Sequence, residues 1–238
     1  VILNQNPFLT FKDYSRDKGQ MQTLYLEEDT EAAIVFSEHN LNYMEYIFPK
    51  LKLYRAHYGF DSNIFNCHVP KKKQIAYMPR KLERHVTQVI NILKFRGALK
   101  EFELVEIDNM EESQAAKILK ESLIFLSLSC DEGFGMPSAE AMACGCVVVG
   151  YDGVGGSEFF EKEFCYPIQH GDLTGFAAAV EYIISEYDKN PEYFLEKGRK
   201  ASEFIFENYS LEREEKDIVR IWSDITGFIE TKKNVLKA

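Results

Sequence analysis

The run LIFLSL at residues 123–128 is the feature that most restricts how this chain can fold. It is almost entirely apolar and has the length of a strand. A strand with two apolar faces must be covered on both of them, which is the environment of a parallel sheet in an α/β protein. Similar short runs stand at 32–37 (AAIVFS), 75–78 (IAYM) and 146–150 (CVVVG). The sequence therefore predicts a parallel sheet between two layers of helices.

Helical patterns separate these strands. Val86, Val89, Ile90 and Leu93 have the spacing of an amphipathic helix that ends at Gly97. Further helices are predicted at 38–48, 115–119, 173–184 after the capping Asp172, 191–207 and 210–232, and further strands at 1–3, 51–57 and 102–107. Short connections between alternating strands and helices predict right-handed βαβ units in a doubly wound, Rossmann-like α/β fold.

A turn-rich stretch at 59–73 divides the chain near residue 70. We therefore predict that residues 1–69 close a partial first α/β domain and that residues 70–208 form a second, Rossmann-like one. The first residue is Val1, and the residues that follow it already resemble a strand in progress. We accordingly expect a further portion of polypeptide upstream.

The composition excludes several classes of function. The formal net charge of −10 opposes broad binding to nucleic acid or to anionic membranes. Five cysteines without a CxxC pair, and histidines without ligand spacing, predict neither a metal site nor a disulfide framework. The chain has no apolar run long enough for a transmembrane segment, so we expect a cytoplasmic protein, with peripheral membrane contact left open.

The segment CDEGFGMPSAEAMACG, residues 130–145, directly follows the most apolar strand. Ligands bind at the carboxyl edge of such sheets, which makes this segment a candidate site. Gly133 and Gly135 permit positive φ and close approach of a ligand to the main chain. Pro137 suits the first turn of a helix, whose free amides at residues 135–139 would attract phosphate.

Two acids flank this loop. Glu140 falls near the end of the first helical turn, where it can accept hydrogen bonds from a diol such as a ribose. Glu132, on the strand side, can accept from a second polyol. The plainer alternative is an ordinary loop whose glutamates face water.

Residues 132–149, EGFGMPSAEAMACGCVVV, resemble the Glu-x7-Glu motif of retaining GT-B glycosyltransferases of the glycosyltransferase family 4 type, with Cys146 where proline is common. The resemblance extends through GVGGSEFF (153–160), GDLTGFAAAV (171–180) and YSLEREEKDIVRIW (209–222). It implies a GT-B fold in which residues 70–208 bind a nucleotide-sugar and a terminal helix, 209–238, packs back towards the first domain.

The resemblance also implies residue roles. Glu140 would hold the ribose of the nucleotide and Glu132 would contact the donor sugar. Arg80 would act on the diphosphate with Lys81 or Arg84 as a second cation, although the glycines that flank this pair in the family are absent here. The other donor-binding positions in the motif loop would be Gly133, Phe134, Gly135, Met136 and Pro137. Those in the turn beside the base would be Asp108 and Met110. A later loop, which borders the donor sugar or the acceptor, would contribute Gly155, Gly156 and Glu158.

Polar residues also follow the first two strands of the first portion, at 1–3 and 32–37. We interpret Asn4–Asn6 as capping a turn, and Glu38 and His39 as structural residues at the start of a helix.

The activity implied is transfer of a sugar from a nucleotide-diphosphate-sugar, such as a UDP- or GDP-sugar, to an unidentified saccharide, lipid-linked or other acceptor. Anomeric configuration would be retained, without a metal or cofactor. A nucleotide-sugar-binding module or truncated inactive fragment, and a GT-B epimerase or phosphorylase, remain alternatives. A nicotinamide-dependent enzyme is disfavoured, because PRKLER rather than G-x-G-x-x-G follows the strand at 75–78.

Overall fold

The structure is a computed structural model that describes residues 1–12, 14 and 23–235, with side chains described up to residue 227. In this part of the chain, eight strands form two parallel sheets. The first sheet has the order β1-β2-β3 and the second β5-β4-β6-β7-β8. The strands are β1 Ile2–Asn4, β2 Ala33–Val35, β3 Leu53–Arg55, β4 Lys72–Tyr77, β5 Glu103–Glu106, β6 Ser122–Ser127, β7 Val147–Gly150 and β8 Cys165–Pro167.

Helices connect and cover these strands. They are α1 Glu38–Ile47, α2 Glu83–Phe95, α3 Glu112–Glu121, α4 Met136–Ala143, α5 Leu173–Tyr187, α6 Pro191–Asn208 and α7 Leu211–Val235. The predicted α/β fold with a doubly wound parallel sheet is confirmed. The prediction for α3 was too short, because a capping box formed by Glu111 and Gln114 starts this helix before its apolar positions begin. The last three residues of the predicted helical segment 209–238 lie outside the described residues.

The strand that motivated the fold prediction lies in the middle of the second sheet. All six residues of β6 are buried. Phe125 faces a core formed with α3, α4 and α6, whereas Ile124 and Leu126 face a core formed with α2 and α5. Each such side chain contributes about 1.5–3 kcal/mol when it is withdrawn from water. Burial on both faces therefore fixes the three-layer arrangement.

The C-terminal helix α7 packs on the first sheet. Ile221 and Ile225 are buried against Ile34 of β2 and Tyr54 of β3. Beside them, Asp224 accepts a hydrogen bond from the hydroxyl of Tyr54. The chain thus crosses from the second sheet back to the first, while the exact domain boundaries stay predictions.

Close packing of α6 on the turn after α4 supplies a test of the fold. A Cβ atom at Gly198 would overlap the carbonyl oxygen of Gly145. Alanine normally improves a helix interior by about 1 kcal/mol over glycine, but overpacking costs about 1–3 kcal/mol. We expect Gly198→Ala to lower the free energy of unfolding, measured by urea denaturation.

Gly227→Ala is the matched control, since a Cβ there meets none of the described atoms within 4 Å. This variant should be at least as stable as the wild type. Equal stability of the two variants would show that α6 does not lie this close to the turn.

Candidate functional site

A cavity of about 270 Å³ opens at the carboxyl edge of the second sheet. Its walls include Arg80 and Lys81, from the loop after β4, together with Glu132 and Pro137 of the motif segment. Met78, Leu128 and neighbouring apolar side chains of the strands form much of the remaining surface. The parallel register of β4 and β6 brings these two loops to the same edge. Four of the residues predicted from the sequence therefore meet in one concave site.

The Glu132 carboxylate is largely buried and forms an ion pair with Lys81. Lys81 Nζ lies 2.6 Å from Glu132 Oε1, and the two side chains are 48% and 14% exposed. Because Lys81 is about half exposed, an anionic ligand can also reach its ammonium group from solvent.

Arg80 reaches across the rim towards the turn after β5. Its Nε lies 3.7 Å from Asp108 Oδ1, and its side chain is 72% exposed. The other carboxylate oxygen of Asp108 accepts a hydrogen bond from Asn109, while Oδ1 is buried and accepts none from the described residues. Arg80 and Asp108 also line a second, adjoining cavity of about 520 Å³. Arg80 is thus placed to contact a ligand that extends from one cavity to the other.

The remaining predicted residues near this rim are less closely placed. Arg84 is exposed on the first turn of α2 and lines neither of these two cavities. Lys81 is therefore the better second cation. Met110 is 40% exposed, next to the start of α3.

The start of α4 differs in detail from its prediction. Gly135 has φ +100° and caps the helix, and proline stands within the first turn, as expected. However, the amides of Ser138 and Ala139 both donate to the carbonyl of Gly135, at 3.1 and 3.3 Å. The prediction of a free run of amides from 135 to 139 is therefore wrong, because Gly135 itself accepts from the first turn. Within residues 135–139, the amides of Gly135 and Met136 have no acceptor among the described residues.

Gly133 and Phe134 serve protein packing. Gly133 does not use the positive φ that glycine permits. A side chain there would instead overlap the carbonyl oxygen of Gln5, in the loop after β1. Phe134 is 2% exposed, with its ring centroid 5.0 Å from that of Phe159 and 5.1 Å from that of Tyr209. One side of the motif loop therefore packs against the first sheet through Gly133. The ring of Phe134 packs within an aromatic cluster of the second.

Glu140 is an acid without a hydrogen-bonding partner among the described residues. Burial, and then the nearby Glu112, raise its pKa to about 7. Glu112 begins α3, directly after the turn that holds Asp108 and Met110. A largely buried carboxyl of this kind is left unsatisfied by the described part of the protein and suits a ligand that donates hydroxyl hydrogens.

The carboxylate of Glu158 is occupied by hydrogen bonds from other residues of the protein. Its carboxylate accepts hydrogen bonds from Arg55 (2.8 Å), the Tyr209 hydroxyl (2.7 Å) and the backbone amide of Glu38 (2.7 Å). These donors come from β3, the junction of α6 with α7, and α1, so Glu158 joins the two sheets. Gly155 and Gly156 lie in the adjoining 3-10 turn. None of these three predicted positions lines the cavity.

Sequence reasoning missed residues of the first sheet that contact the motif loop. Asn6 caps a 3-10 turn, as predicted, by accepting from the amide of Phe8 at 3.0 Å. Its side-chain amide also donates to the carbonyl of Asp131, at 2.9 Å. Ser37 caps α1 and donates its hydroxyl to the carbonyl of Gly133. Both follow strands of a parallel sheet at their carboxyl ends, which is the signal that pointed to the motif itself.

The described part of the chain offers neither a cluster of metal ligands nor a membrane-spanning helix. No group of three or more histidine, cysteine, aspartate or glutamate side chains is arranged to hold a metal ion there. None of the helices described is both long and apolar enough to cross a membrane.

Comparison with known proteins agrees with this architecture. Residues 99–201, less than half of the chain, match the family model described as Glycosyl transferases group 1. An alpha-1,6-glucosyltransferase of Actinobacillus pleuropneumoniae serotype 7 is 23% identical over an alignment of 251 residues. The alignment covers 96% of this chain and 68% of that protein.

Solved structures show the same fold. Sucrose-phosphate synthase from Thermosynechococcus elongatus superimposes with a TM-score of 0.70 at 13% identity, covering 94% of this chain and 67% of that one. A mutant of Staphylococcus aureus TarM, in complex with fondaparinux, alpha-GlcNAc-glycerol and UDP, superimposes with a TM-score of 0.61 at 20% identity, covering 82% and 43%. The chain thus spans about two thirds of the first two proteins and less than half of TarM. It has the α/β architecture of GT-B type found in these structures, and residues 99–201 match a glycosyltransferase group 1 domain.

Proposed function

We propose that this chain binds a nucleotide-diphosphate-sugar and takes part in transferring its sugar to an acceptor. The observation that carries the proposal is the cavity in which Arg80, Lys81, Glu132 and Pro137 meet at the carboxyl edge of the second sheet. Parallel α/β sheets bind ligands at this edge. Two cations beside a carboxylate suit a ligand that has both a diphosphate and a hydroxyl-rich sugar.

Under this proposal, Glu140 and Glu132 would contact the two ends of the ligand. Glu140, partly buried and without a hydrogen-bonding partner among the described residues, would accept hydrogen bonds from the ribose. Glu132 would contact the donor sugar, because it lies on the cavity wall beside Lys81. The amides of Gly135 and Met136, at the start of α4, would face the phosphates.

The relatives suggest which donor to test first. One is named as a glucosyltransferase and another was solved with UDP. UDP-glucose is therefore the first probe, with a GDP-sugar as the comparison. The acceptor remains to be identified, and a cytoplasmic location stays a prediction.

The chemistry would not require a metal, because positive charge is supplied by the chain. As the bond between the anomeric carbon and the diphosphate oxygen breaks, charge grows on the leaving group, and Arg80 and Lys81 would stabilise it. The acceptor oxygen would form its bond to the anomeric carbon on the same face, with its proton passing to the leaving phosphate. Configuration at that carbon would then be retained.

A direct test is calorimetric titration with UDP, UDP-glucose and GDP-mannose, followed by assays of donor hydrolysis and transfer. We expect binding of one nucleotide-sugar together with release of its nucleotide. Binding without release would instead identify a binding module. Formation of a sugar phosphate that depends on added inorganic phosphate, which would accept the glycosyl group, would point to a phosphorylase, and a changed sugar epimer to an epimerase.

Glu140→Gln tests the ribose assignment. The neutral amide is a weaker acceptor than the carboxylate, so nucleotide affinity should fall by about 1–3 kcal/mol, the range for hydrogen bonds to charged groups. Calorimetry with UDP at about pH 8, where Glu140 is charged because its pKa is about 7, measures the change. Unchanged affinity would show that Glu140 does not contact the ribose.

The raised pKa of Glu140 predicts a pH effect on stability. The folded protein holds this proton up to a pH of about 7, whereas the ordinary value is 4.5. The contribution of this bound proton to the free energy of unfolding is therefore present at low pH. It is lost as the pH rises through the pKa of Glu140 in the folded protein. Relative to the wild type, ligand-free Glu140→Gln should gain stability between about pH 5 and about pH 8, measured by urea denaturation.

Glu121→Gln is the control for this pH effect. A hydrogen bond from Lys72 lowers the pKa of Glu121, so its removal should give no gain in stability at the higher pH. A gain in both variants would mean that Glu140 is not the titrating group.

Glu132→Gln tests the sugar assignment. If this carboxylate holds the donor sugar, the variant should weaken UDP-glucose binding by about 1–3 kcal/mol and leave UDP binding nearly unchanged. Calorimetry with both ligands provides the comparison. Equal loss for the two ligands would contradict a sugar contact.

A further inference from the structure

We propose that Asn6 and Ser37, from the first sheet, are positioning residues that hold Glu132 in place for the donor sugar. This inference rests on the proposed function, since it concerns the acid assigned to the sugar. Neither residue lines the cavity. Both act through the backbone of the motif loop.

The geometry that supports this proposal is a pair of hydrogen bonds on either side of Glu132. The side-chain amide of Asn6 donates to the carbonyl oxygen of Asp131, at 2.9 Å. The hydroxyl of Ser37 donates to the carbonyl oxygen of Gly133. These carbonyls belong to the residues immediately before and after Glu132. The backbone that carries this acid is thus held from the other sheet at two points.

This backbone needs an external constraint because its conformation is unfavourable. Asp131 has φ +52° and Val154 has φ +73°. Val154 forms an isolated β-bridge with Glu132. The backbone amide of Glu132 donates a hydrogen bond to the carbonyl oxygen of Gly153, at 2.9 Å. Positive φ is costly for residues other than glycine, and especially for β-branched valine. Such strain persists only where surrounding contacts enforce it.

Ser37 is itself held by further contacts of the first sheet. Ser37 is fully buried, and its hydroxyl oxygen accepts from the amide of Asn40, at 3.1 Å. The Asn40 side chain donates to the carbonyl of Asn4, at 2.7 Å. Gly133 lies so close to Gln5 that any side chain there would overlap it. The loop therefore has little freedom to move while the sheets are in contact.

A consequence is that recognition of the sugar depends on the first sheet, whereas recognition of the nucleotide does not. Glu140 lies on α4, and these hydrogen bonds do not reach it. Loss of either donor should therefore affect the sugar end of the ligand and spare the ribose end. A residue needed only for folding would affect both ends.

Asn6→Asp and Ser37→Ala are the test variants. Asn6→Asp removes the donor to Asp131 but keeps an oxygen that can accept from Phe8. Ser37→Ala removes the donor to Gly133 and also the cap of α1. Asn190→Ala removes the side-chain cap of α6, whose hydrogen bond goes to the amide of Tyr193 and not to the motif loop, and so controls for loss of a cap. Glu132→Gln serves as the reference for loss of the sugar contact.

The measurement is the ratio of the dissociation constant for UDP-glucose to that for UDP, from calorimetry, together with the thermal unfolding temperature. In both test variants we expect the ratio to rise about tenfold over the wild type, with UDP affinity changed less than about twofold. The ratio for Asn190→Ala should match the wild type.

The outcomes separate this inference from the proposed function. If Glu132→Gln raises the ratio and neither test variant does, the positioning role is overturned and the sugar contact stands. If Glu132→Gln leaves the ratio unchanged, the sugar contact itself is wrong. Equal weakening of UDP and UDP-glucose in the test variants, with a lower unfolding temperature, would also overturn the positioning role.

Discussion

Burial of β6 on both faces is the constraint on which the rest of the second sheet depends. Its six residues are withdrawn from water, and this is possible only if helices cover both sides. The covering helices require parallel connections, which bring the ends of β4 and β6 to one edge. The cavity stands at that edge. Its location thus follows from the hydrophobic effect acting on one short strand.

The contact between the two sheets is equally important for the chemistry of the site. Asn6 and Ser37 contact the backbone around Glu132, and Glu158 binds Arg55 of the first sheet. The loop that carries the sugar-binding candidate is therefore shared between the sheets. Under the proposed function, a donor sugar would be recognised only while the two sheets are together.

The sequence predicted a large part of this arrangement. The all-apolar strand located the sheet, and the glycines, proline and acids after it located the site. Arg80 and Lys81 were predicted from the resemblance, which implies a basic pair in the loop after the strand at 75–78, and the structure places both in the cavity wall. Local patterns succeed here because strand burial and helix starts depend mainly on neighbouring residues.

Other features could not be predicted from neighbouring residues. The sequence by itself determined the order of strands and helices, the doubly wound sheet, and the edge at which Glu132 and Glu140 stand. Only the tertiary structure decided that Gly133 accommodates Gln5, that Glu158 is occupied by protein donors, and that Asn6 and Ser37 hold the motif loop. The hydrogen bonds of Asn6 and Ser37 with the motif loop span 125 and 96 residues of sequence, and that of Tyr209 with Glu158 spans 51. They depend on how two sheets pack against each other, which no local periodicity encodes.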